Sequence, residues 1–180
     1  MKIIETPLPG LRIIEPTVFK DARGYFYESY NQQLLAKAGI TDVFVQDNQS
    51  VSHKNVIRGL HFQHPPYAQA KLVRTIKGAV RDVVVDIRKQ SPTYGQTFCI
   101  ELTEDNFLML YIPVGFAHGF STLADHTIFA YKCSNFYHKE SEDTIYWKDP
   151  YLNIDWKVEN PILSEKDKTG KLFANFVSPF

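Results

Sequence analysis

Val80-Arg81-Asp82-Val83-Val84-Val85-Asp86-Ile87-Arg88 reads as a β-strand, and that reading decides the fold. Strand side chains alternate between faces, so Val83, Val85 and Ile87 share one face while Asp82, Val84 and Asp86 share the other. The run ends at the turn Ser91-Pro92-Thr93-Tyr94-Gly95. Runs of the same kind surround it: Lys71 to Ile76, Thr97 to Leu102, Phe107 to Ile112, Phe116 to Leu123 and Thr127 to Lys132. Lys77-Gly78, Thr103-Glu104-Asp105-Asn106 and Pro113-Val114-Gly115 separate them. Many short antiparallel strands with regular turns imply a sandwich or a closed barrel. Strands do not alternate with long helices, which disfavours a parallel nucleotide-binding sheet.

Upstream, Leu11-Arg12-Ile13-Ile14 is a short apolar run that Pro16 interrupts, so Val18-Phe19 opens a new segment. A turn at Asp21-Ala22-Arg23-Gly24 leads into an aromatic strand from Tyr25 to Tyr30. Gln32 to Ala38 suits a short helix, with Asn31 as N-cap and Gly39 as stop. Val43 to Ser50 reads as a strand that turns polar at its end. From Ser134 the chain is less regular, and Pro161 to Asp167 opens a short C-terminal helix. The organisation expected is one domain over residues 1–180, with a barrel core at about 43–132. N-terminal strands at 1–30 and an irregular or helical part at 134–180 complete it.

A chain of 180 residues can bury a real core. Its 10 Tyr, 13 Phe and 10 Pro favour a β-rich fold with short turns. The formal net charge is +0, which argues against a non-specific nucleic-acid binder. Cys99 and Cys133 show no C-x-x-C spacing, so neither a disulfide framework nor a zinc site is expected, and a reducing cytosol is. Met1 to Pro7 has no apolar core of a secretory signal, and no apolar run approaches a membrane span.

The chemistry concentrates between Arg58 and Arg74, in Arg58-Gly59-Leu60-His61-Phe62-Gln63-His64 and Lys71-Leu72-Val73-Arg74. Flanked by strands, some of these groups point into a cavity. A His beside a Lys and an Arg there can remove a proton and hold the charge that follows. Lys71 and Arg58 are expected on one strand pair if Pro65-Pro66 forms its loop. In a regular strand Arg58 and His61 face opposite sides. A bulge at Gly59 brings them to one face. The competing role for His61 is a half-buried strand His bonded to a backbone carbonyl.

His61 and His64 are three apart, so on a strand they diverge, and His118 as a third ligand does not complete a metal site. Metal-free chemistry is therefore expected. Tyr131 is either core packing or, with burial beside a cation bringing its pKa within reach, a general acid. Asp167 fits a helix cap in Ser164-Glu165-Lys166-Asp167, and Asp82 and Asp86 equally suit partnering an inward His. Arg23, Arg58, Arg74 and Lys166 are candidate phosphate ligands. A Gly-rich phosphate loop is missing, which leaves a hydride-transfer enzyme unsupported.

Several motifs in order resemble the dTDP-4-dehydrorhamnose 3,5-epimerases. They are Phe19-Lys20-Asp21-Ala22-Arg23-Gly24, Gln46-Asp47-Asn48, Arg58-Gly59-Leu60-His61-Phe62-Gln63, Lys71-Leu72-Val73-Arg74, Asp82 to Arg88, Ser91 to Gly95, Ile112 to Phe120, and Asp155-Trp156. The resemblance spans nearly the whole chain. It implies an all-β, cupin-type jelly-roll barrel (a double-stranded β-helix) with a few short peripheral helices. It also implies a homodimer, no cofactor, no metal, and dTDP-4-dehydro-6-deoxy-D-glucose as substrate, inverted at C3 and C5. By the same resemblance His61 is the base, Asp167 its partner, Lys71 the cation at the enolate and Tyr131 the opposing acid. Substrate contacts carry over to Arg23, Glu28, Gln46, Asn48, Arg58, His118, Tyr137, Glu142 and Lys166. Gln49, Ala70 and Phe136 depart from the family's usual His, Gly and Tyr. The rival activities are a C3-only epimerase, a ketoisomerase, a metal-dependent cupin enzyme and a non-catalytic sugar-nucleotide binding module.

Overall fold

A computed structural model describes residues 1–180, with thirteen β-strands and two short α-helices. One sheet has six strands in the order β1 (Lys2–Glu5), β2 (Arg12–Glu15), β10 (Met109–Ile112), β7 (Lys71–Lys77), β12 (Thr127–Cys133) and β5 (Gln46–Ser52). The other has five: β13 (Glu142–Thr144), β6 (Ile57–Gln63), β11 (Phe116–Thr122), β8 (Ala79–Asp86) and β9 (Thr97–Thr103). All pairings within them are antiparallel. The sheets face each other as the jelly-roll barrel that the spacing of turns anticipates. A separate hairpin, β3 (Phe19–Asp21) with β4 (Gly24–Phe26), stands apart from both.

The alternation in β8 takes its two faces into two different cores. Val80 and Val84 point into the barrel, where they meet Val73, Leu110, Phe116, Phe120 and Phe129. Val83, Val85 and Ile87 point outward and are covered by Ile145, Trp156, Phe173 and Phe176. Residues beyond 134, which lack strand periodicity, are thus a wrap over the five-stranded sheet. Their aromatics bury its outer face, each contributing on the order of 1.5–3 kcal/mol of transfer free energy. A third cluster, Ile14, Leu35, Ile40, Leu72, Met109 and Tyr111, packs helix α1 (Gln32–Lys37) on the outside of the six-stranded sheet.

Local signals explain the helix ends. Asn31 caps α1 by accepting a 3.1 Å hydrogen bond from Leu34 N–H, and Gly39 follows with φ +80°. Two expected strands are shorter than their composition suggests. The aromatic run stops at Phe26, and Val43 to Val45 stays outside β5, which starts at Gln46. β5 is an edge strand, and Val43 and Val45 are exposed ahead of it, with only Val45 N–H still donating to the Cys133 carbonyl of β12 at 2.9 Å.

β6 and β7 do not pair. They belong to opposite sheets, so Arg58 and Lys71 face each other across the barrel instead of lying on one strand pair. The bulge at Gly59 is present. His61 pairs with His118 and Arg58 with Phe120, so Gly59 and Leu60 together oppose the single residue Gly119. The extra residue sends Ile57, Leu60 and Phe62 outward into the wrapped core, and leaves Arg58 and His61 lining one cavity. Glycine is required at both points of closest approach. A Cβ on Gly59, at φ +133°, would lie 2.4 Å from Gly119 Cα, and one on Gly119 would lie 2.7 Å from the Arg58 carbonyl oxygen.

Candidate active site

The open end of the barrel holds a cavity of about 300 Å³ whose walls come from both sheets and the wrap. β6 supplies Arg58 and His61, β11 His118, and β13 Glu142. From the facing sheet β7 supplies Lys71 and β12 Tyr131. Helix α2 (Glu165–Lys168) closes one side with Lys166 and Asp167. An adjoining lobe of similar size shares His61, Lys71, Tyr131 and Glu142 and adds Gln46, Asn48, Gln63, Gln69 and Tyr137. The inward positions of β5, β7 and β12 alternate with outward ones, which is why Asn48, Lys71 and Tyr131 reach it and Asp47, Arg74 and Lys132 do not.

His61 has one ring nitrogen, Nε2, 2.5 Å from Asp167 Oδ1. The two residues are brought together because the wrap lays α2 against β6. Ser164 caps that helix by accepting from Asp167 N–H at 3.2 Å, and its own hydroxyl donates to Asp167 Oδ2 at 2.7 Å. The cap role and the His-partner role of Asp167 are therefore filled by the same carboxylate. Of the carboxylates weighed for an inward His, Asp86 binds Arg88, Ser91 and Thr93 instead, and Asp82 takes His118 at 2.9 Å. Asp167 is buried, which works to raise its pKa, but the bonds from His61 and Ser164 outweigh this and hold it below the usual range. Its ionised carboxylate fixes the proton of neutral His61 on Nε2. Nδ1 has no hydrogen-bond partner in the chain and is left for the cavity.

Burial pushes the His61 pKa down, with Lys166 and Lys71 adding to this against the pull of Asp167. The imidazole is thus unprotonated near neutrality, the form a base needs. Burial likewise lowers Lys71, which has no carboxylate partner and lies 6.0 Å from the Tyr131 ring centroid. Tyr131 corrects an expectation. Burial raises its pKa, and Arg58 only partly opposes this, so the phenol keeps its proton. A protonated phenol on one sheet faces an unprotonated imidazole on the other, with an unpaired ammonium between the two walls. Such a set can take a proton from one side of a bound molecule, hold a negative charge, and return a proton to the other side.

Glu142 ties the mouth together. It accepts from Tyr137 Oη at 2.9 Å and pairs with Lys166. Gln46 Oε1 accepts from Tyr137 N–H at 3.0 Å and donates through Nε2 to Asn48 at 3.0 Å. Gln63, given no role by its motif, is buried at the end of β6. It donates to the carbonyls of Tyr67 and Phe136 and accepts from His138 N–H, tying both rim loops to the barrel. A buried amide with loops on both sides leaves no local sequence signal beyond its place after an apolar strand.

Four sequence candidates lie elsewhere. Arg23 sits exposed at the β3–β4 turn, paired with Asp21 at 2.6 Å, and Glu28 bonds Asn31 at 3.0 Å. Neither lines the cavity of its own chain. Arg74 points outward from β7 and donates to Tyr27 Oη at 3.1 Å. His64 lies just past β6 and pairs with Asp143 at 3.1 Å, apart from His61 and His118. No three His, Cys, Asp or Glu side chains converge as a ligand set.

The family model described as dTDP-4-dehydrorhamnose 3,5-epimerase matches residues 5–175. The enzyme of that name from Shigella flexneri is 51 % identical over 176 residues, covering 97 % of either chain. Among solved structures, the Bacillus anthracis dTDP-4-dehydrorhamnose 3,5-epimerase with TDP and pyrophosphate bound superposes with a TM-score of 0.94 at 47 % identity, covering 96 % of this chain and 99 % of that one. The dTDP-6-deoxy-D-glucose-3,5-epimerase of Legionella pneumophila, in complex with dTDP-4-keto-L-rhamnose, also gives 0.94 at 47 % identity, with 98 % and 94 % covered. With barrel, cavity and sequence agreeing over nearly every residue, this chain belongs to the dTDP-4-dehydrorhamnose 3,5-epimerase family.

Proposed function

We propose that this chain is a cofactor-independent isomerase that inverts C3 and C5 of dTDP-4-dehydro-6-deoxy-D-glucose to give dTDP-4-dehydro-L-rhamnose. The observation that carries the reading is the placement of neutral His61 and protonated Tyr131 on opposite walls of one cavity, with Lys71 beside them. Hydrogens at C3 and C5 flank the C4 ketone, so loss of either gives an enolate. His61 Nδ1 takes the proton, and Asp167 stabilises the imidazolium that forms. Lys71 faces the oxyanion, where fixed positive charge lowers the barrier most. Inversion needs a proton on the other face, which His61 does not reach and Tyr131 does. Arg58 and Lys166 supply cationic contacts to the nucleotide sugar, His118 lines the same cavity, and Gln46, Asn48, Tyr137 and Glu142 line the lobe that takes the rest of it.

Arg23 and Glu28 belong to the same reading only if a second copy is present. The β3–β4 hairpin carries Phe19 and Phe26, 63 % and 66 % exposed, and the open β5 edge and the residues before it leave Val43, Val45 and Val51 exposed as well. Apolar surface of this extent favours a homodimer in which the hairpin reaches the partner's cavity. Two unpaired cysteines suit the cytoplasm, where the sugar nucleotides are made.

The test is ¹H NMR of the 4-keto substrate in deuterated water. The wild type is expected to exchange both H3 and H5 and give the L-sugar, and His61→Ala to exchange neither. Exchange undiminished in that variant overturns the base assignment. Exchange at H3 alone makes the enzyme a C3 epimerase.

A further inference from the structure

One buried side chain holds the rim of the cavity. Gln63 ends β6 and is 5 % exposed. Its Nε2 donates to the Phe136 carbonyl at 3.2 Å and to the Tyr67 carbonyl at 2.6 Å, and its Oε1 accepts from His138 N–H at 2.8 Å. Carbonyls only accept and a peptide N–H only donates, so these partners fix which end of the amide carries the oxygen. Two of the three bonds bracket Tyr137, one on the residue before it and one on the residue after. Gln46 Oε1 takes the N–H of Tyr137 itself at 3.0 Å. Glu142, the cross-strand partner of Gln63, takes the phenol at 2.9 Å. Tyr137 is thus held at four points although it is 54 % exposed. An exposed loop aromatic ordinarily keeps its rotamer freedom, and fixing it costs conformational entropy.

We infer that Gln63 is a positioning residue for Tyr137 and sets the affinity of the lobe for the nucleotide part of the substrate, without taking part in the chemistry. This deepens the epimerase reading and rests on it. Gln63 lines the lobe, yet both its N–H groups and its oxygen are engaged by backbone, so it acts through the residues it holds. The third bond, to Tyr67, joins the second rim loop to the same amide. The Tyr67 ring lies flat on the His138 ring, with centroids 3.7 Å apart and planes 2° off parallel. Asn135 donates to the Pro66 carbonyl at 3.2 Å, and Gln69 donates to the Asn135 carbonyl at 2.8 Å. The two loops therefore form one connected rim, and Gln63 joins that rim to the strand that carries His61. A ligand entering the lobe meets Tyr137 already in place, so the entropy of ordering it is not taken from the binding free energy. An amide serving the fold alone would tie the loops anywhere along their length. This one brackets the rim aromatic that lines the lobe.

The test measures kcat and KM with the 4-keto substrate, and dTDP affinity by calorimetry, for Gln63→Met, Tyr137→Ala and the double variant. Met keeps the length of the side chain and removes all three hydrogen bonds. Gln63→Met is expected to raise KM and the dTDP Kd about tenfold, with kcat within roughly twofold of wild type. The double variant is expected to bind dTDP no more weakly than Tyr137→Ala, because Gln63 acts through Tyr137. Unchanged affinity in Gln63→Met overturns the inference, as does a fall in kcat with KM unchanged, or losses that multiply in the double variant. A second readout uses the wild type and needs no variant to fold. The His138 amide of the free enzyme is expected to be protected from exchange with deuterated water, and exchange at the rate of an open loop overturns the proposal. If the wild type exchanges H3 and H5 while dTDP affinity is indifferent to Gln63, only this inference fails. If the wild type exchanges neither, the epimerase reading itself fails.

Discussion

His61 and Asp167 are 106 residues apart in the chain and meet at 2.5 Å. The carboxylate is held on its other oxygen by Ser164, so the orientation of the base depends on a helix cap. Asp167→Asn keeps the shape and removes the charge that stabilises the imidazolium. We expect kcat to fall roughly 10²-fold or more with the affinity for dTDP preserved, as measured by turnover and calorimetry. Turnover at the wild-type level would remove Asp167 from the mechanism.

Tyr131→Phe separates the two halves of the reaction. The base and Lys71 are intact in this variant, so hydrogen exchange into the substrate from deuterated water is expected to persist. Inversion is expected to fall by about 10²-fold or more, because no group on the far wall returns the proton. Equal loss of exchange and inversion would argue against the acid role.

The pH profile follows from the directions of the shifts. His61 must be neutral to act, and burial holds its pKa below the usual imidazole value of 6.5, so kcat/KM should stay high until the pH drops below that value. Lys71 must be charged, and burial lowers its pKa from 10.5, so the alkaline limb should begin below that value. Tyr131 is raised above 10.0 and keeps its proton across the whole window. An acid limb above 6.5 in kcat/KM would contradict this arrangement of groups.

A methyl group at Gly119 would meet the Arg58 carbonyl oxygen at 2.7 Å and the Trp156 ring at 3.2 Å. Gly119→Ala is therefore expected to destabilise the fold by about 1–3 kcal/mol, read as a lower Tm, and to reduce kcat further than the stability loss explains. Relief of the clash moves β6, and with it the two residues that the bulge aims. Wild-type turnover in a folded Gly119→Ala variant would show that the bulge tolerates that shift.

Arg23 lies outside its own chain's cavity, so a mixing experiment decides whose site it serves. Arg23→Ala and His61→Ala are each expected to be impaired alone. Co-refolded, they should form mixed dimers in which one cavity has both His61 and a partner's Arg23, regaining up to about a quarter of wild-type activity if subunits assort at random. No gain on mixing would place Arg23 outside the reaction.

The strands were legible because turn residues bracket β-branched runs, and β8 could be assigned to faces by parity alone. The Gly59 bulge was legible for a related reason: Arg58 and His61 violate parity, and a glycine lies between them. What the sequence left open was long-range. Asp82, Asp86 and Asp167 all suited an inward His, and only the path of the wrap over β6 decides that Asp167 reaches His61. Tyr131 was misjudged in direction because its desolvation depends on the whole barrel, whereas neighbouring cations are visible along the chain. The surface role of the hairpin was hidden because an aromatic run looks the same whether it fills a core or awaits a partner.

The wrap beyond residue 134 joins the barrel through β13 at the edge of the five-stranded sheet, through Trp156, Phe173 and Phe176 packed on the outer face of that sheet, and through scattered hydrogen bonds. It also carries Asp167, Lys166 and Glu142. Helix α2, only four residues long and outside both sheets, can open before they melt, as a unit of lower stability. Heat or mild denaturant should therefore silence the enzyme before the barrel's own signal changes, because His61 would lose its carboxylate while remaining on an intact strand.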